Sequence, residues 1–291
     1  MALTAGVAVG AATTCAQPAA GPHFPTTEFG EGATSATASL GALSATVSLE
    51  GPPGSALGKA VPILRVSVGG RVVLEAAGVA SGFDFPAAEA SIAEIDPTNG
   101  APEVYFSSYA GGAHCCNVVM VATEHGGAWE AVEVGDFEGD GDYLVDLDGD
   151  GLAEIATADN RFFYRFDCYA CSAAPLAVYT VQDGAVIDVS TQRRYLGAHR
   201  DWLDDMETML AEPERWESRG FLAGWLAAKI RAGEGGEAWL ALNRNWNRAD
   251  DPGAEVCLDG GEPEDCDRGR LMLMSFPDQL RLFLEQNGYR F

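Results

Sequence analysis

The chain has 291 residues, 47% of them hydrophobic, which is enough for one large domain or two ordinary ones and excludes wholesale disorder. Its formal net charge of −25 argues against nucleic acid as a partner, because phosphate binding needs clustered Lys and Arg. No Lys or Arg occurs between Val72 and Asn160, so this acidic half is expected to fold more easily with bound cations.

The N-terminal residues predict an exported protein. Residues 2–12 form a short apolar run followed by small residues, as in a secretory signal peptide, although no basic residue precedes the run. Residues 17–40 are rich in Pro, Gly, Ala, Ser and Thr and predict a linker. No later stretch is apolar over about 18 residues, so no transmembrane span is predicted. Residues 1–40 are therefore assigned to a signal-like segment and linker of a periplasmic or secreted protein.

A β domain is predicted over residues 41–191. Alternating or β-branched runs predict strands at 44–49, 61–68 and 71–75, the last two joined across Gly69-Gly70. Two interpretations stay open: residues 40–90 supply a third, degenerate unit beside the two described next, or the strands stack as a sandwich.

The remainder of the β domain contains a weak internal repeat with a spacing of 51 residues. The segment 99–103 aligns with 150–154, and an aromatic-bearing strand follows each. Hairpins are predicted across Gly126-Gly127 and across Asp183-Gly184. A blade of antiparallel strands cannot bury both its faces alone, so the units are expected to stack. The predicted fold class is mainly β, antiparallel, as propeller-like blades or a sandwich, followed by an α-helical C-terminal region.

Residues 192–291 form that helical region, because the spacing of their apolar residues changes to the helical period. Pro277 suits the first turn of the last helix. The predicted helices are 201–210, 221–230, 237–246 and 277–287. The segments 250–253 and 257–266 are predicted as loops.

An acidic loop predicts a cation site. Asp146, Asp148 and Asp150 occupy loop positions 1, 3 and 5, and Gly at position 6 permits a sharp turn. The backbone carbonyl of Leu152 and the carboxylate of Glu154 are expected to complete the shell. Carboxylates this close repel one another unless a cation neutralises them, and Ca²⁺ takes six to eight hard oxygen ligands. The alternative is a solvated acidic turn between strands.

The continuation of this loop distinguishes it from an EF-hand, because position 12 is Thr157 rather than Glu and the next residues predict a strand. A D-x-D-x-D-G-x-x-[DE] loop that runs into a strand resembles the FG-GAP or VCBS-type repeat, a blade module of integrin-like β-propellers and of many secreted bacterial proteins. The resemblance covers residues 146–157 closely and 91–190 loosely. It implies a calcium-stabilised β module outside the cytoplasm, commonly used for adhesion or recognition, and it implies no catalytic residues.

A second, weaker acidic loop immediately precedes the first. Asp136, Glu138 and Asp140 repeat the 1-3-5 spacing with Gly at position 6, and Asp142 follows, but Leu144 occupies position 9. Three interpretations stay open: the loop binds a second ion, it contributes Asp136 or Asp142 as a ligand of the first site, or it is a solvated turn.

Six cysteines remain if Cys15 is removed with a signal peptide, and an exported protein is expected to pair them. The local spacing favours short-range disulfides, which fix turns more than they add global stability. The alternative is a long-range bridge from Cys115 or Cys116 to Cys168 or Cys171. The short-range pairs are Cys115–Cys116, Cys168–Cys171 and Cys257–Cys266.

The stretch His114-Cys115-Cys116 has three interpretations. The adjacent cysteines form a vicinal disulfide that shapes a recognition turn, or they bind a soft metal together with His114, or one is a nucleophile activated by His114. Cys168 and Cys171 have the spacing of a redox dithiol, but they follow a strand instead of starting a helix, which favours a structural bridge.

These features predict an exported calcium-binding β protein that recognises a protein or glycan at the cell envelope. No G-x-S-x-G, H-E-x-x-H, P-loop or G-x-G-x-x-G motif is present, so an enzyme is not favoured. Two alternatives stay open. One is an envelope hydrolase with a carboxylate or His site between the β and α parts, and the other is a thiol or soft-metal protein that uses the His-Cys-Cys stretch.

Overall fold

The computed structural model describes residues 24–52, 57–139, 141–259, 261 and 263–291, so the predicted signal-like run and Cys15 lie outside the described residues. The strands of the β domain are β1 (Ser35–Leu40), β2 (Leu43–Glu50), β3 (Val61–Val68), β4 (Arg71–Ala77), β5 (Ala88–Ala93), β6 (Glu103–Tyr109), β7 (Asn117–His125), β8 (Ala128–Phe137), β9 (Leu144–Val145), β10 (Glu154–Ala158), β11 (Leu176–Gln182) and β12 (Ala185–Asp188). The C-terminal region contains α1 (Leu196–Met209), α2 (Arg219–Arg231), α3 (Gly235–Asn245), β13 (Ala254–Cys257), β14 (Leu271–Met274) and α4 (Phe276–Gln286).

The first twelve strands form three four-stranded antiparallel sheets, β1–β4, β5–β8 and β9–β12, each with its strands in chain order. The predicted hairpin turns at Gly69-Gly70 and Gly126-Gly127 have positive φ values, which glycine adopts without steric cost. The predicted fold class, antiparallel β followed by helices, is therefore confirmed.

The three sheets are stacked in the order of the chain. Val47 on β2 and Ile92 on β5 share one hydrophobic cluster with Phe106 on β6. The neighbouring residue Tyr105 points to the opposite face, as strand geometry requires, and packs with Ile155 of the third sheet. The second sheet is thus covered on both faces by its neighbours.

The helical region covers the remaining face of the third sheet. Val178 on β11 packs with Trp202 of α1. Leu222 and Leu226 of α2 are fully buried in a core that also contains the apolar face of α4. Ser218 caps α2 by accepting a hydrogen bond from the backbone N–H of Phe221, which explains why the helix begins two residues before its predicted start.

The predicted boundary at residue 40 between linker and β domain is wrong, because β1 begins at Ser35. Ala36 and Ala38 are buried, and the hydroxyl groups of Thr37 and Thr46 lie 2.9 Å apart across the strand pair. The alternation that defines this strand is carried by small residues, whose composition also suits a linker.

Between α3 and α4, where the sequence predicts loops at 250–253 and 257–266 and no strand, the chain forms the antiparallel hairpin β13–β14, with Ala254 opposite Met274 and Cys257 opposite Leu271. Strands of four residues are too short to give a clear period.

Candidate calcium loop and histidine cluster

The acidic loop joins β9 to β10 at the edge of the third sheet. The carboxylate of Asp146 accepts hydrogen bonds from the backbone N–H groups of Gly149 (2.7 Å) and Gly151 (3.0 Å). Both glycines are in the left-handed conformation, with φ of 76° and 91°. The chain therefore curls around Asp146, and it needs glycine at these two positions to do so.

Three of the predicted ligands converge in this loop. Carboxylate oxygens of Asp146, Asp148 and Glu154 all lie within 4.8 Å of one another. Calcium–oxygen distances are about 2.3–2.6 Å, so two oxygens of one calcium shell are at most about 5 Å apart. The donor set is thus hard, anionic and of the right spacing for Ca²⁺.

The other two predicted ligands are placed differently. Asp150 is turned outward, with Oδ2 2.9 Å from Nη1 of Arg194. Its Oδ1 accepts a hydrogen bond from the backbone N–H of Leu152 at 2.9 Å. Participation of Asp150 and of the Leu152 carbonyl in ion binding stays a prediction.

Arg194 brings a positive charge to the loop from the connection between β12 and α1. Its guanidinium lies 2.9 Å from Asp150, 3.5 Å from Asp148 and 3.9 Å from Glu154. It also stacks over the ring of Tyr195, with its central carbon 4.7 Å from the ring centroid. In this arrangement the guanidinium neutralises part of the charge that a bound cation would neutralise.

Glu154 is the most buried carboxylate of the loop, with 1% of its surface exposed. It accepts hydrogen bonds from the backbone N–H of Leu147 (3.0 Å) and from the hydroxyl of Tyr195 (2.9 Å). Burial raises the pKa of Glu154 above its ordinary value, and the nearby negative charge of Asp148 raises it further. A cation at the loop would oppose both effects.

The aligned loop of the second sheet surrounds the corresponding Glu with hydrogen-bond donors. Glu103 begins β6 as Glu154 begins β10, and it accepts hydrogen bonds from the backbone N–H groups of residues 95–96 at 2.8 and 2.9 Å. The amide of Asn99, aligned with Asp150, donates to the other oxygen at 2.7 Å. Hydrogen-bond donors therefore stabilise the negative charge of Glu103, as a cation would stabilise the charge of Glu154.

The described carboxylates of the second acidic loop do not converge on a common point. Asp136 is still part of β8, and Glu138 turns to Nδ1 of His114 at 2.9 Å. Asp142 lies near the half-buried Glu89 on β5, whose pKa is raised by partial burial and further by the charge of Asp142. Asp140 lies outside the described residues. Within the part of the chain that is described, no set of three converging metal ligands includes this loop.

His114 is the centre of a cluster assembled from three segments. Glu138 lies at its Nδ1, and the hydroxyl of Tyr164 lies 3.0 Å from its Nε2. The imidazole is stacked on the ring of Tyr169, with centroids 3.8 Å apart and planes inclined by 12°. Three contacts therefore fix the position of the ring.

The cysteines are paired at short range, which is one of the two arrangements that the sequence leaves open. Because Cys115 and Cys116 are bonded to each other, the stretch after His114 offers no thiolate for a metal or for catalysis in this structure. Asp167 lies close to the sulfurs of the second pair, but these are also bonded to each other. The three disulfides are Cys115–Cys116, Cys168–Cys171 and Cys257–Cys266.

Sequence reasoning missed Arg194, Tyr195 and Tyr164. The first two lie at least 40 residues from the carboxylates that they contact, and Tyr164 lies 50 residues from His114. The concentration of basic residues after position 190 indicates ion pairs with the acidic half but does not identify the partners.

Comparison with known proteins places this chain among exported proteins. Residues 199–288 match a family model described as the sll0997 C-terminal domain. Over 232 residues the chain is 36% identical to the "Probable thylakoid lumen protein sll0997" of Synechocystis sp., which covers 78% of this chain and 68% of that protein. The thylakoid lumen is a compartment outside the cytoplasm, so the predicted export is confirmed.

A second relative is the "Uncharacterized protein y4bJ" of Sinorhizobium fredii, 35% identical over 207 residues. The match covers 69% of this chain and 32% of that protein, so the chain spans about a third of this relative. No solved structure matches the chain. Among the described helices, none has the length and apolar character that a membrane crossing requires.

Proposed function

The chain belongs to the family of the probable thylakoid lumen protein sll0997, and from this premise we propose that it is an exported calcium-binding β protein that recognises a protein or glycan at the cell envelope. Calcium stabilises the edge of the third sheet, and the loops of the stacked sheets present the recognition surface. The FG-GAP/VCBS-like loop supports the same proposal at the level of its motif.

The observation that carries the proposal is the convergence of Asp146, Asp148 and Glu154 within 4.8 Å. Three carboxylates at this spacing repel one another, and burial of Glu154 prevents water from screening the repulsion. A divalent cation removes the repulsion and gains the ligands at once. Arg194, a single charge with 36% of its side chain exposed, offsets it only in part.

The recognition role is supported by exposed aromatic side chains in the loops. Tyr164 is 61% exposed and Phe85 is 58% exposed. Aromatic rings at a surface bury large contact areas at a small cost in conformational entropy. The negative charge of the β domain favours a neutral or basic ligand over an anionic one.

The calcium proposal is tested by titrating Ca²⁺ into the metal-free protein by calorimetry and by measuring melting temperatures in calcium and in EDTA. Asp148→Asn keeps the shape of the side chain and removes one ligand charge, so it should weaken binding at least about tenfold and reduce the calcium-dependent rise in melting temperature. Glu133→Gln, which removes the same charge from an exposed position on β8, is the control and should behave as wild type. An equal calcium-dependent rise in both variants would contradict the proposal.

The recognition role is tested by binding of the calcium-loaded protein to immobilised neutral glycans and to basic peptides, with acidic peptides as the control. Binding that is lost in EDTA is expected for one of the first two classes. Absence of binding to both would contradict this part of the proposal without affecting the calcium titration.

A further inference from the structure

His114, Glu138 and Tyr164 come from three different loops and form a continuous chain of hydrogen bonds. His114 lies between β6 and β7, Glu138 directly after β8, and Tyr164 between β10 and β11. The two hydrogen bonds, Glu138 Oε2 to His114 Nδ1 and His114 Nε2 to Tyr164 Oη, measure 2.9 and 3.0 Å. A carboxylate, an imidazole and a hydroxyl in this order have the geometry by which a base activates a nucleophile.

The direction of proton transfer follows from the partners of His114. The carboxylate of Glu138 only accepts hydrogen bonds, so Nδ1 carries the hydrogen and Nε2 of the neutral ring carries a lone pair. The hydroxyl of Tyr164 donates to that lone pair. Only 10% of the Glu138 side chain is exposed, so its charge acts on the imidazole with little screening by water.

Tyr164 is held in place and yet accessible. Its backbone has φ of 59°, a left-handed conformation that costs a bulky residue roughly 1 kcal/mol and persists only where the surroundings impose it. Its ring is 61% exposed. The imidazole cannot rotate away from the hydroxyl, because it is stacked on Tyr169. The hydroxyl thus faces both a fixed base and the solvent.

We propose that Tyr164 is a nucleophile that accepts acyl groups from small neutral acyl donors, with His114 as its general base and Glu138 as a positioning residue. In the step, a bond forms between Tyr164 Oη and the acyl carbon while the phenolic proton passes to His114 Nε2. The bond between the acyl carbon and its leaving group breaks, and the leaving group takes the proton from the imidazolium. The product is an O-acyl-tyrosine, and no oxidant or reductant is required.

The surroundings favour neutral donors over anionic ones. Glu138 belongs to the acidic half without Lys or Arg, and Asp167 is exposed three residues after Tyr164. The neighbouring Arg165 lies over the rings of Phe166 and Phe283, at 5.9 and 5.7 Å, on the side of the helical region. An anionic donor would therefore approach against the carboxylates.

The proposal goes beyond the calcium and recognition roles and does not require calcium, so its test is done in EDTA. The full chain with its disulfides intact is treated with N-acetylimidazole, and acetylation of each tyrosine is followed by mass spectrometry of its peptides. Tyr109 is the internal comparison, since its hydroxyl donates to the backbone oxygen of Gly112 instead of to a base. Tyr164 is expected to react at least about tenfold faster than Tyr109.

Exposure alone also speeds the acetylation of Tyr164, so variants are needed to separate the effect of exposure from the effect of the base. His114→Phe keeps a ring on Tyr169 and removes the base, and it should slow acetylation of Tyr164 at least about fivefold with no change at Tyr109. Glu138→Gln should slow it in part, and Glu138→Asp should restore more of the rate than Gln does. Unchanged acetylation of Tyr164 in His114→Phe, with an unchanged melting temperature, would overturn the proposal. A variant that fails to fold is replaced by His114→Gln, to which the same criterion applies.

Discussion

Arg194 offers the sharpest test of the calcium loop, because its removal should change stability and calcium affinity in opposite directions. Its guanidinium lies within 4 Å of Asp148, Asp150 and Glu154. Exposed ion pairs contribute about 0.2–1 kcal/mol each, so Arg194→Gln should lower the free energy of unfolding in EDTA by about 1–2 kcal/mol. For a chain of this size the melting temperature should fall by about 2–6 °C.

With calcium the same charge is unfavourable. An ion bound to Asp148 at about 2.4 Å would sit roughly 5–6 Å from the guanidinium, and at the dielectric constant of water a double and a single positive charge then repel by about 1.5 kcal/mol. Arg194→Gln should therefore bind Ca²⁺ about tenfold more tightly.

Calorimetric titration and thermal melts in EDTA measure the two effects. Arg193→Gln, which removes an equal charge from the adjacent exposed position, is the control and should show much smaller changes. Weaker or unchanged calcium binding by Arg194→Gln would refute the view that the guanidinium stands in for the cation.

Two further predictions concern stability. Burial raises the pKa of Glu89 and the charge of Asp142 raises it further, so at pH 7 the ionised carboxylate destabilises the fold. Glu89→Gln should raise the melting temperature at pH 7. The gain should shrink as the pH falls through the raised pKa of Glu89, because the wild-type carboxyl then becomes protonated in the folded state. A gain independent of pH would contradict this. Gly224→Ala on α2 should destabilise the protein by about 1–3 kcal/mol in urea unfolding, because a Cβ there would lie 2.1 Å from the backbone oxygen of Ala173. Gly236→Ala on α3 meets no atom within 4 Å and should instead stabilise by up to about 1 kcal/mol, so equal effects at the two positions would count against this packing argument.

Strands and helices could be predicted from the sequence wherever the spacing of large apolar residues was regular. Strand β3 is an example, since its alternation fixes which side chains are buried. In α2 the apolar run is continuous and residues 220–228 are all buried, so its length rather than its spacing indicates a helix. The period fails where the residues are small, as in β1, or where a strand has only four residues, as in β13 and β14.

The site was predictable only as far as its residues are local. The spacing from Asp146 to Glu154 sets a curl of nine residues, and the structure brings three of its carboxylates together. Arg194 and the bond between His114 and Tyr164 depend on how the sheets and the helical region are stacked. Partners separated by 40–50 residues leave no periodic trace in one sequence, because either partner could be exchanged for another residue of the same charge without changing the local pattern.

Both ends of strand β10, which follows the acidic loop, are hydrogen-bonded to the helical region. Glu154 at its start accepts a hydrogen bond from Tyr195 at the beginning of that region, and Asp159 just after its end accepts one of 2.6 Å from the buried Tyr289. Both carboxylates are nearly fully buried, so neither hydroxyl could be replaced by water without opening the interface. The segment matched by the family model, 199–288, contains none of these four residues. These two hydrogen bonds join the helical region to the third sheet, so a cation that ordered the start of β10 would also stabilise the packing of the helices on it.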